Sequence, residues 1–337
     1  MKKIPVPFTC AIVGATGMVG QNFAKILAER KLPVKKLFLF ASANSAGKIM
    51  NFRDKEIQIE ALTPEALENR DIDIYLFAAD SEIAQKYAPI AVKNGAVVID
   101  NSSAWRMHPD VPLVVPEVNA ADLASHNGII ANPNCCAAPA VVALKPLQQK
   151  YGLKRVVIST YQSVSGAGIG GLTDLENTAK GEPPQQFPHP IANNLIPHID
   201  KFEPDGYTGE EKKVMAEVRK MLHQPTLPIT ATTVRVPVTY AHSLSINVTL
   251  ENPFEISDIK QLISIAPGTK LTDDPTNNIY PMPQIAAGKD EVHIGRIRRD
   301  ESYPNTLNLW VSSDNTRKGA ALNAIQIVES ILSTDLN

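Results

Sequence analysis

Phe8–Val13 is a continuous apolar run, and it opens directly into Gly14-Ala15-Thr16-Gly17-Met18-Val19-Gly20. An unbroken apolar run marks a strand covered on both faces. From Gly17 to Glu29 the apolar positions Val19, Phe23, Ile26 and Leu27 take helical spacing, so the three glycines stand at a strand-to-helix turn. There Gly14 permits the tight bend, Gly17 lets backbone approach a pyrophosphate, and Gly20 allows the helix to lie close on the sheet. Helix N–H groups then face the phosphates, and Thr16, Met18 and Val19 belong to the expected cofactor site. The spacing is G-x-x-G-x-x-G rather than the commoner G-x-G-x-x-G. Its place at the first strand–helix junction points to a dinucleotide rather than to a plain turn.

Further buried runs follow at Lys36–Phe40, Ile72–Ala79, Ala96–Asp100 and Gly128–Ala131, with a helix expected from Ser81 to Lys93. Strand and helix in alternation give parallel pairing with right-handed crossovers, a doubly wound Rossmann-type α/β sheet. After it the pattern changes. Strands expected at Lys154–Tyr161, Thr232–Val238, Ser243–Leu250, Val292–Ile297 and Thr306–Val311 alternate apolar with polar and have few helices between them. That predicts an antiparallel or mixed sheet with one face solvated or covered by helices, an α+β domain. Pro183–Asp205, rich in Pro, Asn, Gln and His, reads as a long functional or interfacial loop. Thr316–Ile331 has helical spacing at Ala320, Ile327, Val328 and Ile331. The expected division of the 337 residues is therefore 1–134 and 135–315, with 316–337 returning to the first domain.

Lys and Arg number 33 against 35 Asp and Glu, a net charge of -2. No excess of positive charge argues for a nucleic-acid surface, and no cationic tract argues for a membrane surface. No apolar run reaches the ~18 residues of a membrane span, and the N-terminus reads as a first strand rather than a signal peptide. The three cysteines, Cys10, Cys135 and Cys136, form no disulfide framework, and no Cys/His spacing predicts a metal. A cytoplasmic, reducing setting is expected.

The second strand ends in Phe40-Ala41-Ser42-Ala43-Asn44-Ser45, without the acid that grips a ribose diol. Ser42, Asn44 and Ser45 donate to a 2′-phosphate without repelling it, which favours NADP over NAD; the bland alternative is a turn. Asn132-Pro133-Asn134-Cys135-Cys136 lies between a strand and the apolar helix Pro139–Gln149. A cysteine at a helix start is favoured as thiolate, and free N–H groups there stabilise an oxyanion. Either Cys135 or Cys136 fits a nucleophile; Cys10, in mid-strand, fits the core.

These segments, with Asn101–Met107, Tyr161–Gly168, Arg235–Val238, Ala241–Ser243 and Ser313–Ala321, resemble the aspartate-semialdehyde dehydrogenases over essentially the whole chain. The resemblance implies a second domain of the glyceraldehyde-3-phosphate-dehydrogenase-like catalytic and dimerisation type. It implies NADPH-dependent, reversible reduction of L-4-aspartyl phosphate to L-aspartate 4-semialdehyde and phosphate, towards lysine, threonine and methionine. Cys135 becomes the nucleophile, Gln162 the orienting group beside it, and His242 the acid/base. Arg235 takes the substrate carboxylate, Glu210 the amine, and Arg106, Asn134 and Lys213 the phosphate. Ser165, Gly166 and Asn315 join the glycine loop in holding NADP. A homodimer is implied, with a tetramer as the alternative.

The chain departs from the family at Asn44, where many members carry an arginine for the 2′-phosphate, and at Cys136, usually Ser or Thr. Ala241 and Thr233 are small-for-small changes. Residue spacing alone reads Glu210 and Lys213 as a surface ion pair on a helix over Glu210–Leu222, and Arg106 as a solvated loop charge. The rival functions are an N-acetylglutamyl phosphate reductase and a non-enzymatic homologue.

Overall fold

The apolar runs of the first part of the chain become parallel strands. In the computed structural model, which describes residues 4–68 and 70–334, these are β1 (Phe8–Val13), β2 (Val34–Ala41), β5 (Glu60–Ala61), β6 (Ile74–Phe77), β7 (Val97–Asp100) and β8 (Ile129–Ala131). They pair in the order β5-β2-β1-β6-β7-β8, every pair parallel. The chain leaves β1 first to one side and later to the other. The end of β1 is thus the switch point where open α/β sheets bind ligands. A small antiparallel hairpin, β3 (Ile49–Phe52) with β4 (Lys55–Gln58), was not foreseen; it is mostly exposed, so burial leaves little periodic signal in its sequence.

Compact packing divides the chain into one unit that ends at Pro133 and resumes at Ala320, and a second spanning Asn134–Gly319. The final helix begins later than Thr316: Arg317–Ala321 forms a π turn, and the α-helix is Leu322–Thr334. Ile325, Val328, Ile331 and Leu332 join Phe8, Phe23, Ile26 and Leu27 in the core of the first unit. The Asn323 amide donates to Val114 O and to Asn132 Oδ1, both at 2.8 Å, which fixes the helix beside the strand ends.

The second unit is a mixed sheet of β9 (Leu153–Gln162), β10 (Ile229–Arg235), β11 (His242–Leu250), β12 (Thr269–Leu271), β13 (Val292–Arg299) and β14 (Thr306–Ser313), in the order β10-β9-β11-β14-β13-β12. β10 stops at Arg235, short of the expected Val238. Val236 N–H still reaches Gln162 O at 2.9 Å, but Pro237 has no N–H with which to continue a ladder. Helices are more frequent here than the sequence pattern promised: Gly168–Ala179 and Ile256–Ile265 were missed. The first is glycine-rich, a composition of poor helix propensity, and is held by its surroundings. Among the described residues no helix is long and apolar enough to cross a membrane.

Candidate active site

In the first unit, Gly14 sits at φ +82°, and a Cβ there would lie 2.4 Å from Ala78 O. A Cβ on Gly20 would lie 2.2 Å from Gly14 O. These two glycines are demanded by the protein's own packing. Gly17 is different: a Cβ there would meet only Gly14 O, at 3.4 Å. The space in front of Gly17 is open, and no side chain caps the helix that starts at Met18. Free N–H groups of the first turn, at Met18, Val19 and Gly20, beside an open backbone surface fit a pyrophosphate. Thr16 is half-buried at the same turn. Ser42, Asn44 and Ser45 form a 3-10 turn after β2 with Ser42 and Asn44 exposed.

Arg106 is buried rather than solvated. Its Nε donates to Asn132 O at 2.9 Å and its Nη2 to Asn101 O at 2.8 Å. The first asparagine of Asn132-Pro133-Asn134 also serves structure, donating to Asn101 Oδ1 and to Ala320 O.

In the second unit the strand ends converge. Gln162 ends β9 beside Arg235, which ends β10 in register with it. β11 runs antiparallel to β9 on its other side and begins at His242. The residues Val236–Ala241 that join β10 to β11 therefore cross the end of β9. Arg235 and His242 are brought to one place although seven positions apart.

Cys135 lies one residue before the N-cap of the helix Ala137–Tyr151. The expected free N–H groups are not free: Asn134 Oδ1 accepts from Cys136 N at 2.8 Å and from Ala137 N at 3.2 Å. Asn134 is itself clamped. Its Nδ2 donates to Glu210 Oε1 at 2.9 Å and its backbone N–H to Glu217 Oε2 at 2.6 Å. With both oxygen lone pairs used and one amide hydrogen engaged, Asn134 keeps a single N–H for any ligand. Its main work is to fix the cysteine turn.

Both acids come from the helix Gly209–Met221. A capping box, Thr208 with Glu211, sets its start, and Glu211 Oε1 also accepts from Thr233 N at 3.0 Å. Glu210, Val214, Glu217 and Met221 are all buried at helical spacing on one face. Glu217 was overlooked; two acids placed on an apolar stripe were its signal. Gln162 Nε2 donates to Glu210 Oε1 at 3.1 Å. Lys213 does not pair with Glu210: its Nζ meets Asp200 Oδ2 at 2.5 Å, from the long loop.

That loop is anchored over the site. Asp174, on the helix Gly168–Ala179, accepts the N–H groups of Gln185, Gln186 and Phe187, each at 2.8 Å. Phe187 lies under the Arg235 guanidinium, and Ile196 exchanges backbone hydrogen bonds with Arg235. Arg235 Nη1 donates to Ser163 O at 2.8 Å, while its buried Nε has no partner.

His242 is fully buried. Its Nδ1 accepts from Ser163 N at 3.0 Å and lies 3.0 Å from Ser163 Oγ; Nε2 makes no hydrogen bond. A ring nitrogen of His242 and the two sulfurs of Cys135 and Cys136 lie within 4.8 Å of one another. Because a backbone N–H is always a donor, Nδ1 is the acceptor and the neutral ring carries its proton on Nε2. The unpartnered Nε2 thus carries a proton rather than a metal-binding lone pair. Ser165 and Asn315, expected at the cofactor, turn inward here. Asn315 Oδ1 accepts from Ala241 N, Ser163 Oγ and Ser165 Oγ, which holds Ala241 at φ +69° just before His242. Gly166 stays against the site, since a Cβ there would lie 2.7 Å from Arg235 Nη1 and 3.1 Å from His242 Nε2.

The Cys135 thiol is held well below the ordinary thiol range. The hydrogen bond offered by Cys136 is the chief cause; burial opposes it, and His242 and Arg235 add to it. The Cys136 thiol is pushed up by burial and by its neighbour's charge. Cys10 is pushed up by burial in β1, so only Cys135 is poised to react.

Two family models match the chain, "Semialdehyde dehydrogenase, NAD binding domain" over residues 9–126 and "Semialdehyde dehydrogenase, dimerisation domain" over residues 144–318. The aspartate-semialdehyde dehydrogenase of Aquifex aeolicus is 50% identical, with 98% of this chain and 99% of the relative covered. That of Bacillus subtilis is 45% identical over 97% and 98%. The crystal structure of aspartate semialdehyde dehydrogenase II from Vibrio cholerae superimposes with a TM-score of 0.91 at 42% identity, covering 97% of this chain and 98% of the other. With a nucleotide-type glycine turn in one unit, a poised thiol in the other and this likeness along nearly its whole length, the chain belongs to the aspartate-semialdehyde dehydrogenase family.

Proposed function

We propose that the enzyme reduces L-4-aspartyl phosphate to L-aspartate 4-semialdehyde, reversibly, through a thioacyl group on Cys135, in the route to lysine, threonine and methionine. The observation that carries this is the gathering of Cys135, Gln162, Glu210, Arg235 and His242 at one end of the second sheet. A second Vibrio cholerae structure, 41% identical to this chain, is described as complexed with ASA, which supports the same substrate here.

The Cys135 thiolate attacks the acyl phosphate carbonyl, and phosphate leaves as the thioester forms. Arg235 is buried with an unpartnered Nε and meets the substrate carboxylate; Glu210 meets the amine. Arg106 and Lys213 supply positive charge for phosphate, Lys213 by exchanging its Asp200 partner. His242 Nε2–H donates to the oxygen that becomes negative when the thioester carbon is reduced, and takes the proton back as the aldehyde is released. NADPH, held at Gly14–Gly20 and the Ser42–Ser45 turn, supplies the hydride when bound. The enzyme works as a homodimer in the cytoplasm.

The test follows NADPH formation from aspartate semialdehyde, phosphate and NADP. Wild type and Cys136→Ala turn over and Cys135→Ala does not. Absence of turnover in the wild type, or survival of Cys135→Ala, refutes the reading.

A further inference from the structure

Cys136 forms no covalent bond in the chemistry above, where its thiol serves only as a hydrogen-bond partner of Cys135. It is fully buried and next to Cys135, which is partly exposed. The two sulfurs lie within 4.8 Å of each other. A hydroxyl at position 136 donates a hydrogen bond as well as a thiol does, but only a thiol forms a bond to sulfur.

We propose that Cys136 is the resolving thiol of Cys135, closing a reversible disulfide between neighbouring residues when a hydroperoxide oxidises the active-site cysteine. The Cys135 thiolate attacks the peroxide, forming an S–O bond as the O–O bond breaks and hydroxide or alkoxide leaves. The Cys136 sulfur then attacks the sulfenic sulfur; the S–S bond forms, the S–O bond breaks, and the Cys136 proton leaves with the hydroxyl as water. The peroxide gains two electrons and the thiol pair loses two. Exposure and thiolate character confine the first step to Cys135, while contact makes the second step intramolecular and fast.

The disulfide so formed is easily reduced. Adjacent Cα atoms stand ~3.8 Å apart across a trans peptide, less than the usual disulfide span, and the resulting strain favours reduction. Closing it also pulls on Cys136 N–H, which Asn134 Oδ1 holds at the helix start. The bond therefore protects the nucleophile from irreversible oxidation and opens again when thiols return. Its chemistry rests on Cys135 being the reactive thiol, as proposed above.

The experiment exposes the intact enzyme, Cys136→Ser and Cys136→Ala to hydrogen peroxide, each compared with its own untreated activity. Peptide mass is read before and after dithiothreitol. In the wild type the peptide holding both cysteines becomes two hydrogens lighter, and dithiothreitol returns about fivefold more of the lost activity than in either variant. In the variants the same peptide gains two or three oxygens and activity stays lost. Over-oxidation of the wild-type peptide at the variants' rate, or equal recovery by all three, overturns the proposal. The mass readout holds even if the substrate assignment fails, so the two failures are told apart.

Discussion

The backbone N–H of Ser163 donates to Nδ1 of His242 at 3.0 Å, leaving the buried Nε2 without a partner. Behind it, Asn315 Oδ1 gathers Ala241 N–H and the hydroxyls of Ser163 and Ser165. The imidazole is thereby fixed in orientation and in tautomer by the protein's own hydrogen bonds.

Asn315→Ala removes the acceptor of the buried Ala241 N–H, and one such unpaired group costs about 1–3 kcal/mol. Ala241 also loses the contact that holds its positive φ. The expected result is a lower Tm together with a kcat reduced about tenfold or more, while KM for the semialdehyde changes little. A fall in Tm with kcat per folded molecule unchanged assigns Asn315 to stability alone.

Cys136 offers the hydrogen bond that does most to keep the Cys135 thiol low. A hydrogen bond to a charged group contributes about 1.5–3 kcal/mol. Cys136→Ala therefore slows alkylation of Cys135 by iodoacetamide about tenfold or more at a pH where the variant's thiol is mostly protonated. Cys136→Ser, which keeps a donor, loses much less. Equal rates in wild type and Cys136→Ala dismiss the hydrogen bond as the cause.

The buried strands were legible because burial on both faces or on one writes itself into sequence as a run or an alternation; the exposed hairpin β3–β4 and the short edge strands β5 and β12 leave no such mark. β1, for instance, has the expected bounds, Phe8–Val13. The cysteine turn was legible in place but not in detail. Asn134 satisfies the N–H groups of Cys136 and Ala137, and that depends on Glu210 and Glu217, 76 and 83 positions away. No local pattern reports such contacts. Asn315 and Ser165 were assigned to the cofactor from resemblance; their inward bonds to Ser163 and Ala241 join segments about 150 and 74 positions apart and leave no periodicity to read. The helix Gly168–Ala179 was hidden by glycines. One of them, Gly171, is required there because a Cβ would lie 2.2 Å from Val164 O.

Gly166→Ala places a methyl 2.7 Å from Arg235 Nη1 and 3.1 Å from His242 Cε1 and Nε2. The far end of the arginine is the group able to yield, so folding survives while the Arg235 guanidinium is displaced. KM for aspartate semialdehyde rises and kcat falls, each about tenfold or more, with Tm within a few degrees of wild type. Unchanged kinetics show that Gly166 does not frame the substrate.

Asp174 is buried, and burial alone raises a carboxyl; the three N–H groups of Gln185, Gln186 and Phe187 outweigh that and hold it below the ordinary carboxylate range. The folded-state value is depressed, so the stability it contributes is fully present above the unfolded value of about 3.9 and is lost as pH falls through the folded one. Asp174→Asn abolishes that titration and loosens the segment that sets Phe187 under Arg235. Its Tm is lower than that of the wild type at pH 7, and the gap narrows as pH falls below about 4. KM for the semialdehyde rises at pH 7 as the Arg235 guanidinium loses its support. A Tm gap that stays constant down to pH 2 rules out the ionised carboxylate as the anchor of the loop.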